Sequence, residues 1–151
     1  ASIDWVSIFL FAGMISVSST MDKTGAGKLL AKFCVDLLGG TPSPLFVAAL
    51  LFLVSSFLTQ FMSNTATATL LCPIGVAIAQ QIGASPHAVV MSITIGIACA
   101  YATPVGTPPN TLVLGPGGYR FMDYVKVGTP LIFVSFIVSM IVIRIVWPFF
   151  K

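Results

Sequence analysis

Between Asp36 and Arg120 the chain contains no aspartate, glutamate, lysine or arginine, and that gap constrains it more than any other feature. A soluble domain needs charged side chains along such a length to face water, so a segment without them is surrounded by lipid or by other apolar protein. Composition points the same way, with 57% hydrophobic and 7% charged residues, a balance no soluble domain needs in order to bury its core. The net charge of +3 is scattered over Lys23, Lys28, Lys32, Arg120, Lys126, Arg144 and Lys151, which leaves no basic face for nucleic acid. The chain reads as an all-α integral membrane protein, multi-pass, expected in the inner cell membrane. Its opening lacks the basic flank and small-residue cleavage site of a signal peptide, which reads as a fragment or one half of a longer transporter.

The apolar pattern divides into five segments. Residues 4–20 form an expected membrane helix beginning at Asp4-Trp5, short beside the roughly 20 residues of a full span. Over 21–38, Lys23, Lys28, Lys32 and Asp36 are interleaved with Leu29, Leu30, Phe33, Val35 and Leu37, the pattern of an amphipathic helix lying along the membrane surface. Glycines and prolines from Gly39 to Pro44 break the chain. Residues 43–82 then hold two apolar runs separated only by Ser63-Asn64-Thr65. Two readings fit that spacing equally: two full spans with a tight turn, or a re-entrant helical hairpin whose tip lies inside protein. Residues 87–114 read as a discontinuous transmembrane helix, interrupted by Thr103-Pro104-Val105-Gly106-Thr107-Pro108-Pro109-Asn110. After an interfacial stretch containing Tyr119, Arg120, Asp123, Tyr124 and Lys126 comes a last transmembrane helix over 128–150, with Arg144 snorkelling near its end.

Both polar interruptions are free of charge. A helix beginning at Ser63 or Asn64 would present unpaired backbone N–H groups and the positive end of its dipole beside hydroxyl and amide groups, an anion site that needs no lysine or arginine. The arm ending near Met62 and the break at Ala102-Thr103 would leave carbonyl oxygens unpaired. With the Thr59 hydroxyl and the Asn64 amide oxygen they make hard oxygen ligands for Na⁺, and broken helices are the recurrent device by which secondary transporters bind anion and coupling ion together. An intramembrane enzyme would need a nucleophile with its base, paired carboxylates or metal ligands, and between Asp36 and Arg120 only His87 has such chemistry. The chain is therefore read as a non-enzyme; an anion channel is a weaker alternative. Cys34, Cys72 and Cys99 lack any Cys-x-x-Cys spacing and read as packed apolar side chains. Gly25-Ala26-Gly27-Lys28 lacks the remainder of a phosphate-binding loop.

Ser-Asn-Thr-Ala-Thr-Ala-Thr from Ser63, followed by Ala102-Thr103-Pro104-Val105-Gly106-Thr107-Pro108-Pro109-Asn110, resembles the signature pair of the divalent anion:sodium symporter family. The resemblance extends over Asp4-Trp5 and Gly118-Tyr119-Arg120-Phe121-Met122-Asp123-Tyr124, and so over essentially the whole chain. It implies the C-terminal repeat of two inverted repeats, and it favours the re-entrant hairpin over two full spans. It further implies that Ser63, Asn64 and Thr65 hold one end of the substrate, that Thr103 and Pro104 line the same cavity, and that Thr59, the Met62 carbonyl, Asn64 and the Ala102 carbonyl surround one Na⁺ as coupling ion. The implied activity is sodium-coupled symport of a di- or tricarboxylate such as succinate, or of sulfate, by alternating access; dicarboxylate exchange is the alternative. The implied partners are the anion, the lipid bilayer, the N-terminal repeat of the same transporter and a second copy, as a homodimer through a scaffold domain. The N-terminal repeat would supply the second hairpin tip and the other principal sodium site, so this stretch alone is not expected to transport.

Overall fold

The computed structural model describes residues 42–149 together with Thr20 and Thr24. The expected helices over 4–20 and 21–38 otherwise lie outside the described residues. Within them the chain is all-helical, without strands: α1 Pro44–Leu58, α2 Asn64–Gln81, α3 Pro86–Ala98, α4 Pro108–Leu114 and α5 Phe121–Val146.

Three helices begin at a hydroxyl residue followed by proline: Ser43-Pro44, Ser85-Pro86 and Thr107-Pro108. Proline suits the first helical position because its missing N–H has no intrahelical acceptor there, and its fixed φ is already helical. Of the three, only Ser43 caps with its side chain, accepting from Phe46 N at 3.3 Å. Helix α5 starts at Phe121, so residues 121–126 are its first turns rather than a separate interfacial stretch. Asp123 explains the earlier start, since its Oδ2 accepts from Arg120 N at 2.7 Å and the negative charge sits at the positive end of the helix dipole.

Helix α3 is the centre of the packing, lying against α1, α2 and α5. Its closest partner is α1. Ala88, Ser92 and Gly96 recur every fourth residue on α3 and are all buried; facing them are Ala48, Phe52 and Ser55, each fully buried on α1. A Cβ at Gly96 would lie 2.6 Å from the Phe52 carbonyl and collide with Ser55 Oγ, so only glycine allows this approach. Ser92 Oγ donates across the crossing to the Ala48 carbonyl. Close backbones and interhelical hydrogen bonds are what hold helices together in lipid, where apolar burial contributes no net drive; such a bond contributes about 0.6–2 kcal/mol. A second cluster joins α1, α2 and α3 through Val47, Leu51, Leu71, Ile78, Val89 and Ile93. Helix α5 crosses on the far side, anchored by Ile143 and by an edge-on contact of Phe136 with Phe52 at 5.4 Å.

Helix α5 is the one helix among the described residues that is both long and apolar enough to cross a membrane. Phe133, Val134, Ile137, Val138, Ile141 and Ile145 are all more than half exposed, an apolar face along one side of the helix of the kind that marks a contact with lipid or with other protein.

Candidate functional site

The two polar interruptions foreseen from the sequence lie side by side. The first is the link between α1 and α2. Helix α1 stops at Leu58, and the chain then tightens into shorter-range bonds, Gln60 N to Phe57 O at 3.2 Å and Phe61 N to Leu58 O at 3.1 Å. Ser63 is the N-cap of α2. Its Oγ accepts from Ala66 N at 3.2 Å, and its carbonyl accepts from Thr67 N at 3.0 Å. Among the described residues, no hydrogen bond takes up the backbone N–H groups of Asn64 and Thr65, the orphan donors a helix start presents. Asn64 and Thr65 are half-buried and Ser63 is exposed, so these donors open onto a surface.

Thr59 is fully buried and donates from Oγ1 to Asn64 Oδ1 at 2.6 Å. That bond brings the end of α1 onto the start of α2 and turns the amide oxygen of Asn64 inward. The carbonyls of Thr59 and Met62 accept no hydrogen bond among the described residues, so hydroxyl, amide and carbonyl oxygens collect around one helix junction.

The second interruption runs from Cys99 to Thr107, between α3 and α4. Helix α3 ends at Ala98, four residues before the apolar run does. The cause is Gln60, which is 6% exposed. Its Nε2 donates to Ser56 O at 2.7 Å and to Cys99 O at 2.9 Å, and its Oε1 accepts from Ala102 N at 3.0 Å. Its own carbonyl accepts from Thr103 Oγ1 at 2.9 Å. Backbone groups that would have continued α3 are thus satisfied by a side chain from the link that follows α1. On the other side of the break, Asn110 Nδ2 donates to Ala100 O at 2.8 Å and Thr103 O at 3.0 Å, while Tyr124 Oη donates to Asn110 O at 2.8 Å. A Cβ at Gly106 would lie 3.2 Å from the Thr59 carbonyl, so the break folds back over the end of α1.

Of the residues singled out in the sequence, the structure links Thr59 with Asn64 directly, and Ala102 and Thr103 with the same junction through Gln60. Ser63 and Met62 lie between them in the chain. Thr65 adds no side-chain bond among the described residues. Pro104 is turned toward α4, its carbonyl accepting from Thr111 Oγ1 at 2.6 Å. Gln60 was missed, although it is the only side-chain amide in the first apolar arm and a buried amide at such depth needs partners. Among the described residues there is no cluster of His, Cys, Asp or Glu able to hold a transition metal; the oxygen groups suit a hard monovalent cation, and the N–H groups suit an anion.

Comparison with known proteins bears on the whole chain. The model of a family described as citrate transporter matches residues 1–150. An uncharacterized transporter, YfbS, of Escherichia coli K12 is 40% identical over 98% of this chain, and an uncharacterized transporter of Synechocystis is 34% identical over 97%. The sodium-dependent dicarboxylate transporter SdcS of Staphylococcus aureus is 30% identical over 95% of it. These matches agree with the resemblance to sodium-coupled carriers of divalent anions. The chain spans about a quarter of the length of these relatives, 24% of the first two and 27% of the third.

Proposed function

The chain belongs to the citrate transporter family, and from that premise we propose that it is the C-terminal repeat of a secondary carrier that couples Na⁺ to uptake of a small divalent anion across the inner membrane. The observation that carries the reading is the junction of Thr59, Asn64 and the Ala102 break, where unpaired N–H groups at a helix start and unpaired carbonyls at a helix end meet without a single charged side chain. The start of α2 serves the anion, with Ser63, Asn64 and Thr65 on one carboxylate and Thr103 and Pro104 lining the cavity. Thr59 Oγ1, Asn64 Oδ1 and the Met62 and Ala102 carbonyls serve the cation.

A di- or tricarboxylate is the substrate class, supported by the dicarboxylate named for the Staphylococcus aureus relative and by the capacity of a helix N-terminus for carboxylate. The α1–α2 pair acts as a re-entrant hairpin and α3–α4 as a broken transmembrane helix, with α5 spanning the bilayer. Sodium bound at the carbonyl side neutralises charge next to the anion side, so each ion raises the affinity for the other. Transport is then movement of this body, together with a companion repeat, past a dimeric scaffold.

Uptake of labelled succinate by the full-length protein in proteoliposomes, with and without an inward Na⁺ gradient, tests this. Sodium-driven accumulation supports the symporter. Uptake that needs internal dicarboxylate and ignores Na⁺ makes the protein an exchanger, and conduction without saturation makes it a channel.

A further inference from the structure

We propose that Gln60 is a positioning residue that sets sodium affinity without touching the ion, by fixing the peptide that carries the Ala102 carbonyl. The assignment rests on the sodium site proposed above and deepens it. Gln60 anchors the chain on either side of the Ala102 carbonyl: Ala102 N–H, in the preceding peptide, donates to Oε1 at 3.0 Å, and the Thr103 side chain donates from Oγ1 to the Gln60 backbone carbonyl at 2.9 Å. Anchors on both sides of a peptide narrow the rotation open to it, so the direction of the Ala102 carbonyl is constrained through Gln60.

The side chain itself is tied down, because both protons of Nε2 are committed, one to Ser56 O in the last turn of α1 and one to Cys99 O across the break. Gln60 also follows Thr59 directly, and Thr59 binds Asn64 at 2.6 Å. The hydroxyl and amide oxygens on the α1–α2 side are therefore referred to the same short stretch of chain as the carbonyl on the α3–α4 side. Na⁺ discriminates through oxygen positions, and a loosened ligand lowers affinity for the ion while leaving the anion's N–H donors at Asn64 and Thr65 in place.

The chemistry of the side chain predicts how substitutions rank. Gln60→Met keeps the volume and loses all three side-chain bonds. Gln60→Glu keeps the acceptor and loses both donors, turning a carboxylate toward two carbonyls.

The test measures the Na⁺ concentration for half-maximal uptake and the substrate KM at saturating Na⁺, in the full-length protein and both variants. Sodium-dependent thermal stabilisation of the detergent-solubilised protein serves as a binding readout that needs no transport. Gln60→Met is expected to raise half-saturating Na⁺ tenfold or more, to shift the substrate KM by less than threefold, and to need correspondingly more Na⁺ for the same rise in Tm. Gln60→Glu is expected to fall on the same side. Half-saturating Na⁺ within twofold of the parent in a folded Gln60→Met overturns the proposal, as does a loss of Vmax and KM in which sodium dependence is unchanged. Failure of both variants to fold overturns it too, since the amide is then a structural brace alone. A parent whose uptake ignores Na⁺ overturns the underlying sodium site as well, so the two failures are distinguishable.

Discussion

Buried polar atoms in this chain come in two kinds, and single substitutions separate them. Asn64 Oδ1 accepts from a fully buried threonine and stands at the helix start whose N–H groups are open. Asn64→Ala is expected to abolish uptake while the protein still folds, because the amide serves the ions more than the packing. Uptake assays beside a melting curve in detergent check this, and normal transport by the variant removes Asn64 from the site. Ser56 is the contrasting case. Its Oγ is buried without a hydrogen-bond partner among the described residues in a pocket of about 310 Å³ shared with Gln60, Ala102, Thr103 and Thr129. An unpaired buried hydroxyl costs about 1–3 kcal/mol of desolvation, so Ser56→Ala should hold or raise Tm and leave uptake near the parent value. A large fall in uptake from that one methyl-sized change would mean that the pocket takes part in binding.

At the scale of helices, the crossing of α1 and α3 depends on a single missing side chain. Gly96→Ala places a methyl against Phe52 and Ser55 and should destabilise by about 1–3 kcal/mol, the usual cost of overpacking. Gly115→Ala, the same chemical change with nothing within 4 Å, should leave the melting temperature close to the parent's, and equal Tm values for the two variants would refute the tight crossing. Two helix starts were legible in the sequence because they are local, at Ser43-Pro44 and Ser63-Asn64; that of α5, expected at 128, lies at Phe121. The ends were not. The apolar runs reach Met62 and Ala102, whereas α1 ends at Leu58 and α3 at Ala98, because Gln60 takes backbone partners 39 and 42 residues away and no local pattern records such a pairing. The candidate site was legible to the same extent. Thr59, Asn64, Ala102 and Thr103 are marked by motif, while the residue that joins them is marked only by being a lone amide in an apolar arm.

For the molecule as a whole, the exposed apolar face of α5 and the half-open donors of α2 predict opposite surroundings. With Cys34, Cys72 and Cys99 replaced, a cysteine at Val138 should resist a membrane-impermeant maleimide, and one at Ser63 should react with it. Equal labelling at the two positions would put α5 in water and remove the membrane placement proposed here. The site has a further consequence for energy coupling. The stretch between Asp36 and Arg120, which carries the Thr59, Asn64 and Ala102 junction, contains no aspartate, glutamate, lysine or arginine. Each elementary charge moved through 100 mV is worth about 2.3 kcal/mol. On the proposed sodium-coupled reading, the uncharged site adds no fixed charge to that of its cargo, and the current measured per anion delivered is expected to count the accompanying sodium ions.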